Sequence, residues 1–344
     1  MKNMIIKESS SQVVFKLMSA IVLLGVVLIL TACSNKPAED SHLKHAEKEH
    51  EQQHSHKEHA DHDQHDDMHA LEATQVMPKG YTVNFAVSNH PLFLLSEAVT
   101  KGTNTTVKKL LNTGDIGHHG SLSPSDIKMV NDSKYVVWFG KNLESNLSAT
   151  LVNGSNTVTI LNEATINMLQ RRDEKMQLIA NSTDPHIWLD PQNAKIIVNK
   201  LAKLHSEVNP KYEEQYQANA KKFAKDLDEL VAKQKAKVGG HNKYWSSHDA
   251  FQYFEKSLGI ELVGTLTTDH EVPVKASQIL WLKNNRPYKV MCLITQNKAK
   301  VGVINKLAPI TNTVLREDMS GNTSFIDAWK NESQKMIDCV NNSQ

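Results

Sequence analysis

Residues 210–240 read PKYEEQYQANAKKFAKDLDELVAKQKAKVGG. Their apolar side chains, Tyr212, Tyr216, Phe223, Leu227, Leu230 and Val231, recur at helical spacings of three, four and seven. The spacing predicts a helix from Lys211 to about Lys237, closed by Gly239-Gly240. At 1.5 Å per residue such a helix spans roughly 40 Å. That is long for a helix within one lobe and long enough to cross between two.

On both sides of it, β-rich runs alternate with helical runs. Upstream, Tyr81–Val87, Tyr135–Phe139 and Thr157–Leu161 read as strands. His90-Pro91 opens a helix over Leu92–Val99, Ser123-Pro124-Ser125-Asp126 is a capped helix start, and Ala194–Val208 is a helix stopped by Asn209-Pro210. Downstream, Lys243–Ser246, Ile260–Val263, Lys289–Ile294 and Asn312–Leu315 read as strands, with helices over Ala276–Asn284 and Thr323–Asp338. The expected fold is α/β: two lobes of mainly parallel strands flanked by helices, joined by one long rigid helix. The expected division is a first lobe over 79–209, the linking helix over 210–238 and a second lobe over 239–344.

The ends of the chain differ from this body. Lys2, Lys7 and Lys16 precede a 14-residue apolar run, Leu17–Leu30, broken only by Ser19 and Gly25. The run is short for a spanning helix and suits an export signal. It ends in Leu30-Thr31-Ala32-Cys33, which looks like a bacterial lipobox. Residues 1–33 are therefore expected to be a lipoprotein signal peptide, with Cys33 lipidated and the protein held on the cell envelope outside the cytoplasm. Residues 34–78 form a polar leader with too little apolar surface to fold alone. Between Lys36 and Glu72 eleven acids face four lysines, and nine of the 17 histidines fall between His42 and His69. His54, His56, His59, His62, His65 and His69 recur every two to four residues, a composition that either binds transition metals weakly or serves as a spacer. The body from Ala73 onward carries 32 basic and 26 acidic residues. The net charge of +1 gives no general attraction to nucleic acid.

Apart from Cys33, only Cys292 and Cys339 are present. An even pair in an exported chain reads as a disulfide, with two buried thiols as the alternative. Eight histidines lie outside the leader. His118 and His119 sit in a Gly-rich loop, Gly114–Gly120. His186 sits in Asp184-Pro185-His186-Ile187-Trp188-Leu189-Asp190-Pro191. His248 follows a short strand in Ser246-Ser247-His248-Asp249-Ala250-Phe251. All three settings lie where strands or loops meet helices, the ends at which α/β layers collect ligands.

These segments resemble the zinc and manganese receptors of bacterial ABC importers, the cluster A-I or zinc-receptor family. The likeness rests on the Gly-x-x-x-His loop, Ser121-Leu122-x-Pro124-Ser125-Asp126, Val137-Trp138-Phe139-Gly140 with Leu143-Glu144, the Asp184–Pro191 segment, and His248-Asp249-Ala250-Phe251-x-Tyr253-Phe254. It covers about Tyr81 to Gln344. It implies metal ligands at His118, with His119 as the alternative, at His186 and at His248. Asp318, in Arg316-Glu317-Asp318-Met319-Ser320-Gly321, is its candidate for the fourth, with a water as the alternative. It also implies a second-lobe disulfide between Cys292 and Cys339.

Three imidazoles and a carboxylate suit tetrahedral Zn2+, whereas an all-oxygen set would favour Mn2+ or Mg2+. The expected function is capture of Zn2+ as a transported ligand and delivery to the membrane permease of an ABC importer, by a monomer anchored to the membrane through Cys33. The alternatives are a manganese receptor or metal-binding adhesin on the same scaffold, or a zinc hydrolase. An enzyme is not expected. Asp249 is the only acid beside a ligand histidine, and no metalloprotease-type Glu accompanies one.

Overall fold

A computed structural model describes residues 85–114, 121–269, 272–298 and 300–344. They all belong to one compact unit, Thr74–Gln344. The signal peptide, Cys33, the leader histidines, the first residues of the expected strand over Tyr81–Val87, and the loop holding His118 and His119 lie outside the described residues.

The first sheet contains β1 (Phe85–Val87), β2 (Lys108–Lys109), β3 (Tyr135–Trp138) and β4 (Thr157–Thr159), all parallel, in the order β2-β1-β3-β4. The second contains β5 (Lys243–Ser246), β6 (Glu261–Thr265), β7 (Met291–Thr295) and β8 (Ile310–Val314), also parallel, in the order β6-β5-β7-β8. The two sheets share one topology. In each, the chain begins in an inner strand, visits one edge and then crosses to the other side. That reversal opens a crevice at the carboxyl ends of the inner strands.

The helices are α1 (His90–Thr100), α2 (Pro124–Asp132), α3 (Ser148–Leu151), α4 (Pro191–Val208), α5 (Glu213–Lys235), α6 (Gln252–Leu258), α7 (Ala276–Asn284), α8 (Val301–Leu307) and α9 (Phe325–Asn341). None of them is long and apolar enough to cross a membrane. The expected start at Ser123 is a full capping box: Asp126 N–H donates to the Ser123 hydroxyl, and Ser123 N–H donates to the Asp126 carboxylate. Ser123→Ala should therefore cost about 1 kcal/mol of stability, measurable as a lowered midpoint of urea denaturation.

The long helix is shorter than its periodicity suggests. A 3-10 turn over Pro210–Tyr212 precedes it, and α5 itself has 23 residues, about 35 Å. It still bridges the lobes. Near its start Asn219 donates to the carbonyls of Val99 and Lys101 at 2.7 and 2.8 Å. Near its end Gln234 donates to Lys330 O and Ser333 Oγ on α9. Tyr216, Ala220, Phe223 and Leu227 form its buried face, and Phe223 packs on Phe325 of α9.

One hydrophobic cluster runs through both lobes, from Phe85 and Phe139 through Trp188 to Phe254 and Trp329. Two indoles tie the lobes across it. Trp188 Nε1 donates to Glu317 O at 2.8 Å and Trp329 Nε1 donates to Leu189 O at 3.1 Å, both within buried surroundings. Buried N–H groups of this kind need a partner, so these contacts also fix register between lobes. Cys292 of β7 and Cys339 of α9 are joined as a disulfide, with Cα atoms 5.4 Å apart.

Candidate metal centre

His186 is placed by its own segment. Asp190 caps α4 by accepting from Gln192 N–H at 2.8 Å, with Pro191 in the first helical turn. Before it, Ile187, Trp188 and Leu189 make a buried 3-10 turn that anchors the segment in the core. The start of the segment is held by Asp184, whose N–H donates to Leu169 O and whose carboxylate accepts from His186 N–H, from His186 Nδ1 at 2.6 Å and from Gln252 Nε2 at 2.6 Å. A carboxylate on Nδ1 fixes the ring orientation and leaves Nε2 to face the cleft.

His248 and Glu317 arrive from the second sheet. Ser247 N–H continues the β5 pairing by donating to Ile294 O, so His248 stands just beyond a strand's carboxyl end. Glu317 follows β8 in a tight turn. There Met319 takes a left-handed backbone (φ 58°), Ser320 N–H donates to Asp318 Oδ1, and Arg316 N–H donates to Glu332. Trp188 holds the Glu317 carbonyl from the opposite side.

The three side chains converge. His248 Nε2 lies 3.2 Å from Glu317 Oε2, and His186 Nε2 lies 3.8 Å from the same oxygen. A tetrahedral Zn2+ with bonds near 2.0–2.1 Å requires ligand atoms about 3.3 Å apart. The described residues fit that ion with little movement. Among them, His186, His248 and Glu317 are the one set of His, Cys, Asp or Glu with ligand atoms all within 4.8 Å of one another.

The expected residues thus divide. His186 and His248 are brought together, while His118 and His119 lie outside the described residues. Asp318 is not in the cluster. The turn directs its neighbour Glu317 inward instead and engages Asp318 Oδ1 with Ser320 N–H. The switch by one residue comes from the turn's backbone, which no spacing rule exposes. One other described histidine has a structural role. His205 stacks on Phe85 at 3.8 Å, bonds Ser96 Oγ at 2.7 Å and is pushed down to about 3 by burial, so it is a neutral core residue.

Electrostatics favour a cation. Burial alone would lower the His186 pKa, but Asp184, then Glu317 and Asp249, raise it to about 9. The cleft wall facing these groups contains Asn142 and Leu143. It is anchored by Glu144, a fully buried carboxyl that accepts from Asn89 Nδ2 at 2.7 Å and Phe139 N–H at 2.8 Å. Burial raises its pKa to about 7 against the lowering effect of donors from Ser88, Phe139, Asn89 and Gly140. This explains the Leu143-Glu144 pair of the sequence pattern: one residue lines the cleft and the next fastens it.

Known proteins resemble this chain in sequence and in fold. The profile of the family described as zinc-uptake complex component A, periplasmic (ZnuA), matches residues 86–339. The high-affinity zinc uptake system protein ZnuA of Brucella abortus is 25% identical over 277 residues, covering 64% of this chain and 83% of that protein. The protein of the same name from Yersinia pestis is 26% identical over 253 residues, covering 65% and 79%. Among solved structures, a Zn(II)-bound variant of AdcAII from Streptococcus pneumoniae superimposes with a TM-score of 0.63 at 21% identity, covering 74% of this chain and 97% of that one. The periplasmic zinc binding protein TroA of Treponema pallidum gives 0.62 at 15% identity, covering 74% and 98%. At these identities the superpositions establish the two-lobed fold. With the profile spanning both lobes and all the converging side chains, the chain belongs to the ZnuA family, the periplasmic component A of zinc-uptake complexes.

Proposed function

We propose that this protein captures Zn2+ in the cleft between its lobes through His118, His186, His248 and Glu317, and passes it to the permease of an ABC importer. The observation that carries the proposal is the convergence of two imidazole Nε2 atoms on one carboxylate oxygen at zinc-like separations. Three imidazoles and a carboxylate form a closed tetrahedral set, which suits binding and transport. Asp249, the acid beside His248, has both oxygens engaged by Arg172 at 2.7 and 2.8 Å. It is thereby withheld from acting as a base toward a metal-bound water, which favours a binding protein over a hydrolase. Lipidation at Cys33 would keep the monomer at the membrane near the permease, and residues 34–78 would give it reach. The histidines of that leader, His54, His56, His59, His62, His65 and His69, would add weak, exchangeable metal sites.

Isothermal and competition titrations on the mature protein and on a form lacking residues 1–78 test this reading. One tight zinc per chain is expected in both, with additional weak binding in the longer form alone. Absence of the tight zinc in both forms would overturn the receptor assignment. Identical stoichiometry in both would remove the leader's metal role.

A further inference from the structure

Among the described residues, the linking helix is not the only segment that crosses between the lobes. Residues 163–185 form a strap that leaves the first sheet and lies along the second lobe before reaching His186. Leu169 N–H donates to Tyr253 Oη, Gln252 Nε2 donates to Gln170 O, and Glu174 O accepts from Thr265 N–H and Gln278 Nε2. Midway along it, Arg172 inserts its guanidinium between two carboxylates. Nε and Nη2 donate to the two oxygens of Asp249 at 2.8 and 2.7 Å, while Nη1 and Nη2 donate to Glu255 at 3.1 and 2.5 Å. Glu255 is held further by Leu262 N–H and Tyr244 Oη.

The three side chains are largely buried, at 15, 7 and 9% exposure for Arg172, Asp249 and Glu255. Asp249 is covalently next to His248 and lines the same cleft as His186 and Glu317. Arg172 stands behind it and does not line the cleft. A carboxylate so placed, without its guanidinium, would be a buried anion beside a cation site. It would gain most by turning its oxygens toward the metal. Each added oxygen donor moves a site toward hard cations with higher coordination numbers.

We infer that Arg172 is a specificity-determining positioning residue: by engaging both oxygens of Asp249 it keeps that carboxylate out of the metal's coordination shell and preserves an imidazole-rich tetrahedral set. The bidentate fork matters, because a lysine would supply a point charge to one oxygen and leave the other available. The inference rests on the zinc-site reading above.

The test uses the mature full-length protein and its Arg172→Met, Arg172→Lys and Arg172→Met/Asp249→Asn variants. Zn2+ and Mn2+ affinities are measured by competition, and bound Co2+ is followed by its visible spectrum. Wild-type protein that binds no Zn2+ would defeat the zinc-site reading itself, before the variants are compared. With wild-type binding in place, Arg172→Met should narrow the Zn2+/Mn2+ preference by about tenfold, the scale of outer-shell effects on metal sites. It should also weaken the Co2+ absorption as coordination expands beyond four. Arg172→Lys should fall between the two. Adding Asp249→Asn should return the preference and the spectrum toward wild type, a rescue that a merely structural role of Arg172 would not give. An unchanged preference and Co2+ spectrum in Arg172→Met, or no recovery in the double variant, would overturn the inference. If Arg172→Met does not fold, Arg172→Lys decides: a preference narrowed by about threefold supports the inference and an unchanged one overturns it.

Discussion

Glu317→Gln is expected to weaken Zn2+ binding about a hundredfold, or about 2.7 kcal/mol, whereas Asp318→Asn changes it by less than about threefold. The substitution keeps the shape of the side chain and removes the charge that both imidazoles face. Glu317 Oε2 is the atom on which His186 and His248 converge, at 3.8 and 3.2 Å. Asp318 stands outside that cluster, with Oδ1 engaged by Ser320 N–H. A neutral amide oxygen is a poorer donor to Zn2+ than a carboxylate, and the lost charge no longer offsets that of the ion. Competition against a zinc-sensitive chelator gives both affinities. The reverse order, with Asp318→Asn the weaker binder, would return the ligand role to the residue that the sequence pattern suggests.

The second large effect is on pH. In the metal-free cleft His186 is held up to about 9, because Asp184 and Glu317 outweigh the lowering effect of burial. The ring therefore carries a proton on both nitrogens at neutral pH. Nδ1 keeps its proton against Asp184, and Zn2+ must displace the one on Nε2. Affinity consequently falls as pH falls: below about 9 each pH unit lowers it by about tenfold through this group alone. From pH 9 to pH 7 the loss is about a hundredfold. The sign is opposite for the empty protein. A folded-state value above the ordinary imidazole value of about 6.5 contributes stability that is complete below that value and is lost as pH rises through 9. Calorimetry at pH 7.5 in buffers of different ionisation enthalpy should show about one proton released per zinc from His186. A titration showing no proton release would contradict this account. Asp184→Asn should flatten the pH dependence, since the carboxylate that raises His186 is gone.

Much of the fold could be read from local chemistry. The Ser123-Pro124 cap, the buried run at Tyr135–Phe139, and the strand at Lys243–Ser246 depend on neighbours in sequence, and they stand where the pattern puts them. Elements with little local signal were not legible. β2 is two lysines, Lys108 and Lys109, whose strand character comes from pairing with β1. α6 and α8 have seven residues each, too few to display a helical period. The end of the linking helix was overestimated because it was read from Gly239-Gly240, whereas the backbone leaves the helix three residues earlier, at Ala236.

The site was legible in the same uneven way. His186 and His248 stand in distinctive strings beside turns and strand ends. Glu317 has no such string. It is selected over Asp318 by the left-handed Met319, the Ser320 amide and the Trp188 indole, contacts spread over 129 residues of chain. Arg172 was invisible for the same reason: its partners lie 77 and 83 residues away.

The indole bridge from Trp188 to the Glu317 carbonyl also bears on how the cargo is surrendered. It pins the backbone of one proposed ligand to the buried turn that immediately follows another, so His186 and Glu317 cannot be drawn apart without breaking a hydrogen bond in the hydrophobic interior. The floor of the cleft therefore behaves as a fixed seat. The equilibrium grip of the floor is left intact for the next ion.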